Sequence, residues 1–251
     1  MMRCMPKPFP HLLVLGVMVS VLHSQSQSSK PMLKDGVITY LASNGERAKI
    51  QIDKPCADLW VSPDESVIAF ITLDKVETGF ETAPFPQGTS YEQLIQSSIY
   101  IAKKSDNFKP VPITLKPIYV RGDQWKIVRQ PSLSPDLKTL YFVVPTYMTS
   151  WSVLSTKLPL GSNRTLTDLE EGYCVIWGGK YSGDLLLILR TYGKGKDAGI
   201  QYPCFLRNKH GRLTQIADDR ECSDSAFDEF ASRWSHKNGG VCKPPEFTQI
   251  W

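Results

Sequence analysis

The chain has 251 residues, of which 41% are hydrophobic and 22% charged. That length fits one or two domains and allows a sizeable buried core. The formal net charge of +4 is too small to indicate a nucleic-acid partner or an anionic membrane surface.

The first 26 residues have the features of a secretory signal peptide. Arg3 and Lys7 precede an apolar run at 12–22, and small residues at 24–26 suit cleavage. A membrane anchor is the alternative, but the run is short for a bilayer span. No later segment has 18 consecutive apolar residues, so we expect no stable membrane insertion after cleavage.

The next segment predicts a flexible leader followed by a β-hairpin. Residues 27–35 are rich in Ser, Gln and Lys. Residues 37–41 and 48–52 then alternate in polarity on either side of Asn44-Gly45, which is a strong signal for a tight turn between two strands.

A local unit repeats along the chain. Residues 60–70 contain an apolar run, the turn Ser62-Pro63-Asp64 and a second apolar run, and residues 131–142 repeat this pattern around Ser134-Pro135-Asp136. Proline presets φ at the second turn position, and aspartate suits the position after it. A degenerate third copy at 173–190 places Asp184 at the position of Asp64 and Asp136. One such unit cannot bury its own apolar face, so the repeat indicates a stacked architecture.

Each copy predicts a group of short strands within a β domain at 36–220. The predicted strands lie at 58–61, 66–73, 98–102 and 111–114, at 130–133, 139–144, 151–156 and 165–167, and at 173–177, 185–190, 204–206 and 213–216.

The first copy is longer than the second, and the excess predicts an inserted loop at 76–96. A long loop with aromatic side chains on a rigid β scaffold is a common place for binding. We therefore expect Phe80, Phe85 and Tyr91 to contact a partner. The alternative is a loop that folds over its own blade.

Residues 221–251 predict a helical tail. Ser223 or Ser225 can cap the helix, and Gly239 can end it. One apolar face is formed at helical spacing by Phe227, Phe230, Ala231 and Trp234.

The cysteines of an exported chain are candidates for disulfides. Those after residue 26 are Cys56, Cys174, Cys204, Cys222 and Cys242. The sequence does not fix their pairing. The reach of the chain permits a Cys222–Cys242 bridge around the helix, with Cys174–Cys204 as a second bridge and Cys56 as a buried thiol. No Cys-x-x-Cys spacing occurs, so the spacing of a zinc site is absent. We expect no metal and no cofactor.

The Ser-Pro-Asp units, followed by Ile68-Ala69-Phe70 and Leu140-Tyr141-Phe142, resemble the TolB-type, WD40-like propeller repeats of bacterial envelope proteins. Glu65 and Leu137 stand where that family has a turn glycine. The resemblance implies an all-β fold, a partial or small irregular β-propeller of about three to four blades with a C-terminal helix. It also implies a periplasmic location. An open propeller must protect an edge strand.

A second resemblance is one of layout. An exported protein with degenerate propeller strands at 60–70 and 133–142 and a cysteine-bracketed helix at 222–242 is similar to periplasmic immunity proteins. These neutralise peptidoglycan amidases delivered by type VI secretion.

No catalytic constellation is visible in the sequence. Beyond the signal segment the histidines are His210, in a turn, and His236, at a helix end. We therefore expect a non-enzymatic protein that binds a protein partner, most specifically an immunity protein for a cell-wall amidase. One alternative is a TolB-like periplasmic scaffold that binds envelope proteins. Another is the propeller remnant of a hydrolase, since prolyl-oligopeptidase relatives carry such propellers.

Overall fold

The computed structural model describes residues 30–42, 44–74, 96–116, 118–120, 123–125, 128–147, 150–159, 164–169, 172–193, 199–218, 222 and 227–244. In these residues the chain forms short antiparallel strands, a 3-10 turn at Lys104–Asp106 and one α-helix. The strands belong to a three-stranded sheet, three propeller blades and two small hairpins.

The three-stranded sheet contains the predicted hairpin and one strand that the sequence did not predict. Its strands are β1 (Met32–Lys34), β2 (Val37–Leu41) and β3 (Arg47–Lys49). The prediction of a flexible leader is wrong for β1, which pairs with β2 through Met32 opposite Thr39. Asp35 and Gly36 both have positive φ and reverse the chain between these strands, so three residues without clear alternation still pair.

Blades 1 and 2 are four-stranded antiparallel meanders whose strands lie in chain order. Blade 1 consists of β4 (Cys56–Val61), β5 (Val67–Asp74), β6 (Gln96–Lys103) and β7 (Val111–Ile113). A hairpin of β8 (Ile118–Val120) and β9 (Asp123–Trp125) follows it. Blade 2 consists of β10 (Arg129–Leu133), β11 (Thr139–Tyr147), β12 (Ser150–Lys157) and β13 (Arg164–Leu169).

Blade 3 has a fifth strand from the C-terminal tail. Its strands are β14 (Tyr173–Trp177), β15 (Leu185–Ile188), β18 (Cys204–Arg207), β19 (Leu213–Ala217) and β20 (Val241–Cys242). A hairpin of β16 (Thr191–Gly193) and β17 (Gly199–Gln201) lies between β15 and β18 in the chain. The sheet order is β19-β18-β15-β14-β20, so the tail completes blade 3.

The sheets stack face to face, because successive residues of a strand point to opposite faces and both faces are apolar. One core lies between the β1–β3 sheet and blade 1, a second between blades 1 and 2, and a third between blades 2 and 3. A fourth lies between blade 3 and helix α1 (Phe227–Lys237), whose predicted apolar face packs there. The fold is thus all-β with one C-terminal helix: a small, irregular, open propeller of three blades whose two end faces are covered.

The first strands of the three blades, β4, β10 and β14, meet in a buried polar network. Asp58 accepts two hydrogen bonds from the Arg129 guanidinium, at 2.5 and 2.8 Å, and one from the Gln130 backbone N–H at 2.9 Å. Tyr173 donates to the Gln130 carbonyl and accepts from Ser132. Both members of the ion pair are almost fully buried. This network joins the three blades at their first strands.

A pair of tryptophans links blade 1 to blade 3 at the ends of the same first strands. The rings of Trp60 and Trp177 lie 5.6 Å apart. Trp177 donates to the Leu133 carbonyl of blade 2, and Trp60 donates to the Lys243 carbonyl of the tail. The predicted tail at 221–251 is therefore, where described, an integrated part of the blades.

The Ser-Pro-Asp turns have the same hydrogen bonds in blades 1 and 2. The Ser62 hydroxyl donates to Asp64 at 2.6 Å and accepts from the Val67 N–H at 3.0 Å. In blade 2 the Ser134 hydroxyl donates to Asp136 at 2.5 Å and accepts from the Thr139 N–H at 2.9 Å. The repeat seen in the sequence is therefore a repeat of turn geometry.

The predicted position of Asp184 is wrong. In the first two blades, the backbone pair that closes the turn is Ser62 with Val67 and Ser134 with Thr139. In blade 3 the corresponding pair is Ile176 with Asp184, because this turn is longer. Asp184 therefore lies directly before β15, at the place that Val67 and Thr139 take at the start of β5 and β11.

The four predicted disulfide cysteines form two bridges, but the predicted pairing is wrong. The bridges are Cys174–Cys242 and Cys204–Cys222, each with 5.8 Å between Cα atoms. Because β15 lies between β14 and β18, Cys174 and Cys204 are two strand spacings apart, about 9.5 Å. That separation exceeds the reach of a disulfide. Cys56 is the buried free thiol that we expected.

Candidate binding grooves

Two grooves open between neighbouring blades at the end of the molecule that carries the Ser-Pro-Asp turns. The first groove lies between blades 1 and 2 and has a volume of about 530 Å³. Its lining comes from β5, β6 and β7 and the loop between β6 and β7, from the end of β10 and the turn after it, and from the two residues that follow β12. No single segment of the chain contains it, so only the packing of the two blades creates it.

The first groove has an apolar floor and a basic rim. Its floor is formed by aliphatic side chains and two prolines, namely Val67, Ile101, Val111, Pro112, Ile113, Leu133, Leu137, Leu158 and Pro159. Among the described residues its charged groups are Lys103, Lys109 and Lys138 against the single carboxylate of Asp106, and all four are exposed. An apolar surface ringed by cations favours a ligand that combines apolar and acidic groups.

Leu137 is a strained residue of this groove. It has a φ of +57°, a left-handed conformation that costs a non-glycine residue about 1–2 kcal/mol. Its side chain lines the groove and packs against the core between blades 1 and 2. Glu65 has the same φ at the equivalent turn of blade 1 without lining either groove.

The second groove lies between blades 2 and 3 and has a volume of about 270 Å³. Lys157 of β12 stands on one wall, and Arg207 and Lys209 of blade 3 stand on the other. Hydroxyl groups of Tyr141 and Ser155 and the side chain of Asn208 complete its polar lining. The second groove is therefore polar and cationic.

Strand register shows that the two grooves occupy equivalent places in the repeat. In blade 1, Val67 of β5 pairs with Lys103 of β6, and the residue two positions after Val67 pairs with Ile101. In blade 2, Thr139 of β11 pairs with Lys157 of β12, and the residue two positions after Thr139 pairs with Ser155. The turn residues with positive φ that face them are Leu137 in the first groove and Gly183 in the second.

At the positions matched by register, the repeat therefore keeps the lysine at the end of the third strand and replaces Val67 and Ile101 by Thr139 and Ser155. Neither Lys103 nor Lys157 was predicted from the sequence. An alignment of the two copies through their third strands would have shown both.

Charges around the second groove are partly balanced. Hydrogen bonds from Ser134 and Lys138 lower the pKa of Asp136, which also lies within the field of Lys157. Burial raises the pKa of Asp184, whose carboxylate accepts the Lys209 N–H at 3.1 Å. Burial also raises the pKa of Tyr141, so its hydroxyl stays protonated at neutral pH. Three cationic side chains thus face two carboxylates that already hold hydrogen-bond donors.

The aromatic residues predicted to bind a partner, Phe80, Phe85 and Tyr91, lie outside the described residues. Asp74 and Gln96, which bound that segment, pair at the end of blade 1 opposite the Ser-Pro-Asp turn. At the corresponding end of blade 3, the β16–β17 hairpin exposes Tyr192 opposite Ile200. The grooves lie at the other end, so the sequence prediction did not identify them.

His210 and His236 are exposed on separate elements, the Asn208–Gly211 turn and the end of α1. Among the described residues, no group of three or more His, Cys, Asp or Glu side chains is placed to hold a metal ion. In the same residues, no helix is long and apolar enough to cross a membrane.

The chain is similar to known proteins in structure only. No family model matches the chain, and no curated protein sequence matches it. The crystal structure of the tricorn protease matches 74% of this chain and 15% of its own, with 8% identity and a TM-score of 0.46. The β-propeller domain of the Trilobed protease from Pyrococcus furiosus matches 76% of this chain and 57% of its own, with 13% identity and a TM-score of 0.41.

TolB from Acinetobacter baumannii also matches, over 75% of this chain and 53% of its own, with 14% identity and a TM-score of 0.28. This chain thus spans well under two thirds of each of these structures. The strand order and packing of the chain itself establish its fold.

Proposed function

We propose that this chain is a non-enzymatic protein-binding module that holds an acidic and apolar segment of a partner protein in the first groove. The observation that supports this most directly is the composition of the groove. Its described residues form an apolar floor with Lys103, Lys109 and Lys138 around it and Asp106 as the one acidic residue against them. A volume of about 530 Å³ lies within the range of specific binding pockets.

The partner segment binds through its side chains and charges and does not extend the sheet of blade 1. The outer strand β7 has Pro112 at its centre, which has no backbone N–H to donate to another strand. Affinity therefore depends on apolar burial and on lysine–carboxylate pairs. Because these lysines are exposed, salt screens their contribution and acts mainly on the association rate.

The position of Leu137 is consistent with a binding role. Glycine would adopt its φ without strain, yet the chain places a large apolar side chain there, facing the groove. Strained residues persist where the surrounding structure enforces them, and they cluster at functional sites.

Narrower functions within this class remain hypotheses. Inhibition of a cell-wall amidase rests on the layout of the sequence, and no comparison supports it. A TolB-like scaffold in the periplasm is compatible with the same groove. A propeller remnant of a hydrolase is the alternative from another class, and turnover of a peptide or glycan by the pure protein would favour it.

The proposal is tested with fluorescent peptides that carry two apolar residues flanked by Asp and Glu, each compared with a version in which Lys replaces the acids. Saturable binding of the acidic peptides alone is expected. Ile113→Asp places a carboxylate on the floor and should abolish it, whereas Val241→Asp, at an exposed position of β20, should not. Equal binding of both peptide types, or full binding by Ile113→Asp, would contradict the proposal.

A charge-reversal pair separates the groove from general electrostatics. Lys103→Glu with Lys138→Glu removes two rim cations and should weaken the acidic peptide at least tenfold. Lys180→Glu with Lys237→Glu makes the same change in net charge at exposed positions outside both grooves. Equal losses from both pairs would show a diffuse charge effect and no site.

A further inference from the structure

We infer that the second groove is an oxyanion site, which binds a phosphate or a carboxylate group between blades 2 and 3. This inference is independent of the first groove and of the proposed partner segment. It rests on the convergence of cationic and hydroxyl groups from two separate blades.

The cations approach from both walls. Lys157 ends β12 on the blade 2 side, with its Nζ 2.8 Å from Thr139 Oγ1. Arg207 ends β18 on the blade 3 side and pairs in register with Leu185 and Leu213. Its guanidinium lies over Gly211, where a Cβ atom would come within 3.2 Å of Nη2. The turn that begins at Asn208 then brings Lys209 to the same rim.

Neutral hydrogen-bond donors lie between these cations. Tyr141 and Ser155 are opposite one another in the β11–β12 pair and both line the groove. Within the described part of the chain, neither hydroxyl has a hydrogen-bond partner in the protein. Since the pKa of Tyr141 is raised by burial, its O–H remains a donor across the neutral range. An oxyanion accepts several such bonds at once, and bonds to a charged acceptor are the stronger kind.

The nearby carboxylates do not fill this role. Asp136 accepts from Ser134 and Lys138 within its own turn, and Asp184 is buried and accepts the Lys209 N–H. Their charges reduce the local field of Lys157, Arg207 and Lys209 without cancelling it.

Equivalent positions in the first groove provide the contrast. There Lys103 stands in the place of Lys157 and Ile101 in the place of Ser155. The turn residue with positive φ that lines the groove is Leu137 in the first groove and Gly183 in the second. The lysine alone is thus common to both grooves, and the hydroxyl donors belong to the second. A small oxyanion should therefore distinguish them.

The experiment titrates the oxidised full chain with inorganic phosphate and, separately, with acetate, followed by backbone amide NMR shifts and calorimetry. One saturable site is expected, with shifts at Thr139, Ser155 and Lys209. Lys157→Met should weaken it about tenfold, since it removes one charged hydrogen bond. Lys103→Met, the matched change in the first groove, should leave the affinity within twofold.

A further variant tests the contribution of a hydroxyl donor. Tyr141→Phe removes only a hydroxyl and should weaken phosphate about threefold at unchanged melting temperature. Tighter binding of phosphate than of acetate would identify a phosphate ligand, and the reverse would identify a carboxylate. Amide shifts that increase linearly with ligand concentration and do not saturate would overturn the inference. Equal losses of affinity in Lys103→Met and Lys157→Met would overturn it as well.

Discussion

The two grooves share one backbone arrangement and differ in chemistry. Each lies between adjacent blades, beside a turn residue with positive φ, with a lysine at the end of the third strand. The first has the aliphatic side chains of Val67 and Ile101, where the second has the hydroxyls of Thr139 and Ser155.

The difference shows that the propeller repeat supplies the place for a ligand, while a few side chains at fixed register positions decide which ligand fits. The supports of the two grooves differ as well. Both depend on the network that joins the first strands of the blades. The two disulfides of the described residues both attach to blade 3, which forms one wall of the second groove.

The largest expected effect is the loss of both grooves together on breaking the Asp58–Arg129 pair. Asp58→Asn keeps a residue that tolerates the φ of +44° but leaves the buried guanidinium without its counter-charge. We expect a loss of about 3–5 kcal/mol in the free energy of unfolding, measured with urea. The control is Asp64→Asn, an exposed carboxylate of the blade 1 turn, for which a much smaller loss is expected. A loss below 1 kcal/mol for Asp58→Asn would contradict the claim that this ion pair supports both grooves.

Removing the disulfides should affect the two grooves differently. The Cys174–Cys242 bridge closes 68 residues and Cys204–Cys222 closes 18. Chain entropy predicts losses of about 4 and about 3 kcal/mol when both cysteines of each bridge become alanine. These changes should weaken phosphate binding at the second groove more than peptide binding at the first. Peptide mapping of the oxidised protein checks the pairing, and a Cys222–Cys242 peptide would disprove it.

Glycine at the two strained turns should have opposite consequences for binding. Glu65→Gly relieves the positive φ at a position outside the grooves and should raise the free energy of unfolding by about 1 kcal/mol, with peptide affinity unchanged. Leu137→Gly gains the same relief but loses apolar contact with the core, so its net change should be smaller. It should also weaken the acidic peptide several-fold. Equal peptide affinities in the two variants would remove Leu137 from the groove's function.

The smallest effect concerns Cys56, which lines neither groove and is a reference for both. Burial raises the pKa of its thiol to about 11. A raised pKa in the folded state means that this thiol favours folding below its unfolded pKa, and that the contribution is lost as pH rises towards 11. Labelling by a thiol reagent at pH 8 should therefore follow unfolding alone. Rapid labelling of the folded protein would contradict its burial, and Cys56→Ala controls for other reactions.

Local elements were predictable from the sequence because short-range chemistry determines them. The Ser-Pro-Asp turns have the expected fixed geometry, since their hydrogen bonds join residues at most five positions apart. The Asn44-Gly45 hairpin and the apolar face of α1 also follow from neighbouring residues.

Features that depend on long-range packing were not predictable. The disulfide pairing requires knowing that β15 lies between β14 and β18 and that β20 joins the opposite edge. Strand β20 is two residues long and carries no periodic signal. The Asp58–Arg129 pair joins residues 71 positions apart. The first groove likewise collects Val67, Ile113 and Leu158 from two blades.

A titration of one isotope-labelled sample with the acidic peptide and then with phosphate tests the central claim most directly. The account predicts two separate sets of shifted amides, Ile101, Ile113 and Leu137 for the peptide and Thr139, Ser155 and Lys209 for phosphate. It also predicts that both ligands bind the same molecule at once. If both ligands shifted the same residues, or if one displaced the other, the claim of two grooves with distinct chemistry on one repeated scaffold would be contradicted.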